Sequence, residues 1–492
     1  MMHGKLRLTS IAAAVVTACV ASSAWATNGM LMEGYGPEST AMGGAAMAFD
    51  NGAAAMVGNP ATLSLMKDGA SRIDVSLGFL QPDVSATVPT SPTAKTSVGS
   101  DGDLYLMPAA GWATRNGQVS YGIGVFSQGG MGTEYDKNSP MMGARSEVGV
   151  GAFLLPASYQ VNNQLSIGGT LQYVWGGMDL IMGMPMLVPD QNGNPSAGPG
   201  SFFDFMPGAG NALGSASGSL VQGLGGVFQS QQNPTGPVDP NGKFAVFDFS
   251  NDDDFSGKTK GAGFSARLGF LFQVSPELSI GGAYQAETAM DDWDGKGTMA
   301  IIDGATGQPA TMPTQGGGSV PLNLPGTYTV KDFQFPATFT LGMAYKVDKW
   351  LLAADITQID WSGVMKDFNL NFTVDKTVPG FGGASVDVTM KQEWDDQTVI
   401  KLGAAYEVND QLTVRGGLNL ANNPVPDKYL NALFPAIIKN HVTMGATYKF
   451  SDAHSIAGSL VFAPEVDQTN SQTQVESTHS QTNIQVMYSY RY

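Results

Sequence analysis

Cysteine is nearly missing from this chain: Cys19 is the single one in 492 residues. It falls inside the first stretch, so the rest of the chain has no disulfide framework and no cysteine-based metal site. Charge is also scarce, at 14% of residues, and acids outnumber bases 42 to 25. An acidic chain without a basic cluster excludes nucleic acid as a partner. Of four histidines, only His441, His454 and His479 lie beyond the first stretch, and they have no metal-ligand spacing. Asp252, Asp253 and Asp254 beside Asn251 suggest a divalent cation, but no EF-hand spacing follows, and the run reads as a solvated acidic loop. Tyr, Ser and His are scattered without a nucleophile elbow. No metal, no cofactor and no enzymatic activity are therefore expected. Beyond the first stretch no apolar run reaches ~18 residues, so no transmembrane helix is expected either. What the chain has in abundance is glycine, 63 residues of it.

The first stretch reads as a cleaved secretory signal. Lys5 and Arg7 make a positive start, Ile11 to Val20 is a short apolar core, and Ala24-Trp25-Ala26 is a small-x-small cleavage site. Cleavage there leaves Thr27 first. A competing reading takes Val16 to Cys19 as a lipoprotein cleavage box. Export, much glycine, little charge and no helical span together fit an outer-membrane β-barrel. A large secreted β-protein is the alternative.

Periodicity separates the two. Ile484, Val486, Tyr488, Tyr490 and Tyr492 alternate with Gln485, Met487, Ser489 and Arg491. Val442, Met444, Ala446, Tyr448 and Phe450 alternate with Thr443, Gly445, Thr447 and Lys449. The stretches from Leu412 to Leu420 and from Phe333 to Tyr345 do the same. Period two marks strands with one apolar and one polar face. The polar faces carry small residues, as suits a lumen packed around a plug. The apolar faces would meet lipid, where only a closed sheet leaves no unpaired edge.

A hairpin recurs at Tyr159–Leu165, Phe272–Leu278, Tyr345–Leu351 and Tyr406–Leu412, with a looser copy at Tyr448–His454. Each has an aromatic strand end, a short polar turn and an apolar restart. Arg115-Asn116-Gly117 is a sixth short hairpin. Six short turns on one side and long segments on the other are the asymmetry of outer-membrane barrels. Counting from these turns predicts an all-β, fourteen-stranded antiparallel transmembrane barrel. The expected strands are 71–80, 103–114, 117–127, 144–160, 164–178, 258–273, 277–287, 332–346, 350–360, 394–407, 411–420, 439–450, 455–464 and 481–492. From Trp350 to Trp361 a tilted strand spans roughly 28 Å, about an apolar bilayer. A bulge or early strand end is needed to bring both Trp to the lipid face.

The segment 179–257 is too long for an ordinary loop. Met182, Met184, Met186, Phe202, Phe203 and Phe205 make it a candidate outer groove for apolar ligand, since methionine adapts to loosely specified partners. The other reading is a small core for a loop cap. The Gly- and Pro-rich loop 288–331 lies beside it in this scheme.

Residues 27–70 differ in kind. Gly36-Pro37-Glu38 is a helix start, Ser39 to Phe49 is small and apolar, and Asn59-Pro60-Ala61 is a second start with Asn as cap. A partly helical plug, or hatch, at 27–70 inside a barrel of 71–492 is expected, because so wide a barrel leaks without one. Asn59-Pro60-Ala61 in a small-residue N-terminal segment resembles the hatch motif of the FadL-type long-chain fatty acid transporters, a family that includes aromatic-hydrocarbon uptake channels. Phe335 to Thr338, Asp355 to Ser362, Trp394 to Thr398, Thr413 to Gly417 and Asn423 to Asp427 follow the family's pattern in order. The resemblance implies passive uptake. Ligand enters a groove between 179–257 and 288–331, moves to a lumen pocket, and leaves sideways past a kinked third strand, where Gly122 and Gly124 lie here. Asn59, Pro60 and Ala61 would shape the hatch.

Parity places Arg145, Glu147, Arg267, Lys401 and Arg415 on the lumen face. They are read as structural pairs or, for Arg145, Arg267, Lys401 and Arg415, as receivers of a ligand carboxylate. Rival functions are a structural or adhesive barrel that binds a partner through its loops, an open porin, and a barrel enzyme. The plug and the apolar outer segment argue against the first two, and the missing catalytic groups against the third. Expected partners are hydrophobic small molecules, outer-membrane lipid and lipopolysaccharide, and the barrel-assembly machinery through the strand ending at Tyr492, with the chain acting as a monomer.

Overall fold

Alternation along each segment is realised as one wall with two unlike faces. The computed structural model describes residues 28–91, 93–186, 188–189, 195–196, 201–205, 213–229, 243–251, 257–304, 306–313 and 318–492. The stretch 1–26, read above as a leader, and Asp252, Asp253 and Asp254 lie outside these residues. The wall strands are β1 (Ser71–Ser91), β2 (Tyr105–Asn116), β3 (Val119–Glu134), β4 (Arg145–Gln160), β5 (Leu165–Pro185), β6 (Thr259–Gln273) and β7 (Leu278–Gln285). They continue with β8 (Thr338–Val347), β9 (Trp350–Ile359), β10 (Gln397–Glu407), β11 (Leu412–Ala421), β12 (Asn440–Lys449), β13 (His454–Thr469) and β14 (Glu476–Arg491). Each is antiparallel to the next, and β14 pairs back onto β1 from Arg72 opposite Arg491 to Thr87 opposite Glu476. The sheet thereby closes on itself, and its ladder hydrogen bonds are made within the chain.

Val75, Leu171, Phe264, Leu268, Ile356 and Met444 are exposed on the outer face. Thr340, Thr357, Asn419, Thr443, Ser459 and Gln485 are buried on the inner one. Such polarity, apolar outside and polar inside, is the reverse of a soluble sandwich and suits a lipid surround. Aromatic residues collect at the short-turn end. Trp350 and Tyr406 lie 4.7 Å apart on adjacent strands, and Trp112 Nε1 donates to the Tyr492 hydroxyl at 3.2 Å.

The expectation of a fourteen-stranded barrel bordered by loops is corrected by the sheet itself, which holds 23 strands among the described residues. The segments taken for outer loops contribute the difference. Lys243–Phe249 pairs with the end of β5, Phe247 opposite Met182, and also with Trp293–Asp303. That strand pairs with Asn323–Lys331, which pairs with Asp367–Val374. Ser385–Lys391 and Gly214–Ser217 extend the series. β5 and β13 run seven and five residues past their expected ends, to Pro185 and Thr469. Short-turn counting sees only one rim; backbone groups in the long segments need partners as well, and find them in further strands.

Two local expectations also fail. β8 begins at Thr338, not at 332, because Pro336 has no N–H for a ladder; Phe333 and Phe335 before it are buried. β9 ends at Ile359, and Asp360 caps a single helical turn, Trp361–Val364, by accepting from the Gly363 N–H. Trp361 is thereby fully buried and packs on Trp394 at 5.2 Å, not on lipid.

Leu268 is 66% exposed near the middle of the outer face of β6. Leu268→Arg should destabilise the folded barrel by about 2–4 kcal/mol in urea titrations in lipid bilayers. A change below ~0.5 kcal/mol would place that face in water.

Candidate functional site

The small residues after Asn28 let the chain thread the lumen. A helical turn at Pro37–Thr40 and two 3-10 helices, Gly52–Met56 and Pro60–Leu65, interrupt an otherwise irregular path. Ala41, Met42, Ala45, Ala53, Met56 and Ala61 are fully buried. An irregular backbone there needs partners for its polar groups, and the inner wall supplies them. Asp355 accepts from the N–H groups of Ala46 and Met47 at 2.7 and 3.2 Å. Asp74, ion-paired to Arg72 at 2.8 Å, accepts from the Ala53 N–H at 2.8 Å. Thr170 donates to the Met56 carbonyl, Ser279 to that of Ala48, and Asn419 to that of Gly43. Gly43 has a φ of +70°, and a side chain there would strike the Leu418 carbonyl.

Asn59-Pro60-Ala61 sits at the centre of this docking. Asn59 is extended, φ −126°, and its side-chain oxygen accepts from the Ala61 N–H at 3.1 Å while Pro60 opens the helix. Its amide donates to the carbonyls of Met47 at 2.7 Å and Phe270 at 2.8 Å. One side chain thus ties the two halves of the segment to β6. Ala61 packs so close to Gly168 that a Cβ on that glycine would lie 2.6 Å from the Ala61 nitrogen.

Beneath the outer strands and above this segment is a cavity of about 80 Å³. Tyr35, Met47, Val57, Gln172, Val174, Arg267, Phe335 and Lys401 are among its walls. The four expected cations divide into two kinds. Arg145 pairs with Glu147 at 3.0 Å and Glu134 at 3.7 Å. Arg415 bonds Thr447 at 2.6 Å and faces Glu38 at 3.7 Å. Both cations thus already stand against carboxylates. Arg267 donates to the Gly58 carbonyl at 3.0 Å and to Gln285, and its Nε has no partner among the described residues. Lys401 stands opposite Asp355 in register. Neither makes an ion pair within 4.0 Å among the described residues. Both amide atoms of Gln172 are also unpartnered. Charge balance alone did not single out Gln172, Tyr35 or Asp355; the inward parity of β5 and β9 would have placed Gln172 and Asp355.

β3 is irregular beside this cavity. Its pairing with β4 passes from Tyr121–Ala157 to Gly124–Leu154, leaving Gly122 and Ile123 unpaired opposite Leu155 and Pro156, the latter without an N–H. A Cβ on Gly122 or Gly124 would lie 2.9 Å from Met56, so both glycines admit the N-terminal segment. The register shift itself falls further on, where Gln128 is the extra residue between Ser127 and Gly129. Leu31 bridges Gly129, the Gly130 N–H donates to Met30 at 3.3 Å, and the Tyr35 hydroxyl donates to the Gln128 carbonyl at 2.9 Å. Burial pushes the Tyr35 phenol up to about 12, so it stays a donor. Burial also pushes up the carboxyl of Glu33, which accepts from Asn483 at 3.3 Å.

Met182, Met184, Met186 and Phe205 are buried in an apolar cluster with Phe247, Phe249, Leu220 and Leu224. They cover one another among the described residues. The same cluster reaches Phe335, Trp361 and Met56. The side chains of Phe202 and Phe203 lie outside the described residues.

A closed barrel with an apolar outer face, an obstructed lumen and an internal cavity defines an outer-membrane channel protein. Residues 13–490 match the model of the outer membrane protein transport protein family (OMPP1/FadL/TodX), and the chain belongs to that family. It is an outer-membrane β-barrel transporter of hydrophobic compounds and not an enzyme. It is similar to the P. putida toluene transporter TodX, with a TM-score of 0.74, 27% identity and coverage of 94% of this chain and 99% of the other. The Ralstonia pickettii toluene transporter TbuX gives 0.69, 29%, 94% and 99%. Among curated relatives, the alkane uptake protein A of Marinobacter nauticus is 30% identical over 97 residues, 20% of each chain. An uncharacterised Chlorobium limicola protein is 46% identical over 81 residues, 16% of this chain and 40% of the other. The matches thus span 40% and 20% of the curated relatives' lengths.

Asn59→Ala removes the donors of two buried carbonyls, which costs about 1–3 kcal/mol locally. Amide exchange in 46–66 should accelerate at least tenfold while the strands β11 to β14 keep their protection. Unchanged exchange in 46–66 would remove Asn59 from the docking.

Proposed function

We propose that this protein takes up small hydrophobic molecules passively, by way of the lumen cavity and a sideways exit at β3. The observation that carries the reading is the adjacency of three features: the cavity, the irregular stretch of β3, and residues 28–35 that bond across it. Hydrophobic solute cannot leave downward into water cheaply, and burial along the way retains its transfer free energy. A sideways path delivers it to the membrane instead. Residues 27–70 act as the hatch of this scheme, with Asn59, Pro60 and Ala61 holding its shape and Gly122 and Gly124 giving it room. Signal cleavage at Ala26, an outer groove built from Met182, Met184, Met186, Phe202, Phe203 and Phe205, and a route from it to the cavity belong to the same reading. So do insertion by the assembly machinery through the Tyr492 strand, contact with lipopolysaccharide, and action as a monomer.

Two cargo classes are compatible with the named relatives and the cavity chemistry. Toluene-like hydrocarbons and alkanes fit the apolar walls and need no charge. Long-chain carboxylates fit Arg267 and Lys401, whose charges lack close acids; a carboxylate there would gain charge-assisted hydrogen bonds. The second class gives a sharp distinction. Arg267→Met with Lys401→Met should weaken laurate binding by more than tenfold and leave toluene binding within twofold, read by titration of the purified barrel. An equal effect on both would assign these cations to structure alone.

For transport itself, replacing Asn59 and Pro60 by Ala should leave the barrel assembled and change uptake of toluene or oleate by intact cells at least threefold. The same protein in planar bilayers should pass almost no small-ion current, which separates it from an open porin. Unaltered uptake would sink the hatch assignment and favour a structural or adhesive barrel.

A further inference from the structure

We propose that a second lumen cavity, walled by β1, β2, β3 and Met30, is a subsite for small apolar molecules carrying one hydroxyl donor, of the alkylphenol class. The inference rests on the transport reading above and adds a chemical selectivity to it. Leu80, Tyr105, Met107, Met131 and Met30 supply its apolar walls, and its volume is about 40 Å³. At ~10–15 Å³ per water that is room for about three waters, and thioether side chains can bend to admit a ring. The cavity borders Gly129, Gly130 and Gly132, beside the extra residue of β3. A molecule moving sideways past β3 would meet it.

Its polar lining is Glu33, Gln481 and His479; Asn483 donates to Glu33 and Gln481 donates to Asn483, which leaves His479. His479 lines the cavity and is 6% exposed. Its Nδ1 lies 2.9 Å from the Pro435 carbonyl. A carbonyl only accepts, so Nδ1 carries the hydrogen and donates it. No carboxylate stands within 4.0 Å of the ring among the described residues. The imidazole is then neutral, and Nε2 is a bare acceptor. That nitrogen is buried and has no partner among the described residues. A buried acceptor without a donor is costly, and a site built around one favours the ligand that supplies it. A phenolic O–H does so while its ring rests among the methionines. A plain hydrocarbon of the same shape leaves Nε2 unpaired.

The test titrates the purified full chain in detergent with p-cresol and with toluene, by calorimetry. The unaltered protein should bind p-cresol about tenfold more tightly. His479→Leu should remove that preference and leave toluene within twofold, whereas His479→Gln, which keeps an acceptor, should retain it. Heat-modifiable gel mobility checks that each barrel is folded. Met107→Trp, which fills the cavity and leaves His479 in place, should abolish the p-cresol preference as well. Equal affinities in the unaltered protein, or a preference that survives His479→Leu or Met107→Trp, would overturn the proposal and leave only water at Nε2. Toluene uptake by cells expressing His479→Leu reports on transport separately: it should persist whichever way the p-cresol preference falls.

Discussion

Everything in this molecule depends on the pairing of β14 with β1. In hydrocarbon an unpaired backbone N–H or C=O costs several kcal/mol, so a spanning sheet has to close. Closure fixes which face of every strand meets lipid, and it creates an interior that must be filled. The filling is a chain segment too irregular to satisfy its own backbone. Its carbonyls and N–H groups are therefore handed to inward side chains, Asp74, Asp355, Thr170, Ser279 and Asn419, and to its own Asn59. These contacts are many, short-ranged and individually modest, about 0.5–1.5 kcal/mol net each. Such a segment is held by many modest contacts, so the proposed hatch movement would break only a few of them at a time.

Charge in the lumen follows the same division. Arg72, Arg145 and Arg415 stand against Asp74, Glu147 and Glu38. Arg267 and Lys401 face the cavity without a close acid among the described residues. His479, at the second cavity, offers an acceptor where the first offers donors. The two cavities therefore differ in the polar group each would welcome: the first mixes polar with apolar walls, and the second is mostly apolar. On the proposed route, two such unlike stations would sort cargo by polar substituent, not by size alone.

Much of this was legible in residues. Period-two alternation from Val442 to Phe450 and from Ile484 to Tyr492 marked the lipid face, and the exposed Met444 and Tyr488 agree with it. Inward parity located Arg267 and Lys401. What alternation could not report was pairing among the long outer segments. Trp293–Asp303 and Asn323–Lys331 carry glycine and proline at spacings that read as loops, yet they are strands, because neighbours on either side complete their ladders. The strand total was too low for that reason. Trp361 was misplaced because a single Asp360 cap turns the chain inward, a decision made by one side chain and not by a period. The Gln128 bulge was likewise invisible: the nearby glycines drew attention to 122 and 124, while the extra residue follows from registers on two strands. His479 was passed over because its significance lies in an orphaned nitrogen, which only three-dimensional contacts reveal.

The central claim is that cargo crosses only when the N-terminal segment shifts against the wall. A Cβ on Gly111 would lie 2.7 Å from the Cβ of Ala53, and a disulfide spans about 3.5–4.5 Å between such atoms. Ala53→Cys with Gly111→Cys therefore needs a shift of only about 1 Å to join segment and wall. Uptake of toluene by cells carrying this pair, measured before and after reduction, is the direct measurement. Uptake should fall at least fivefold in the oxidised barrel and be restored by dithiothreitol. Full uptake through a barrel shown to be cross-linked would contradict the claim.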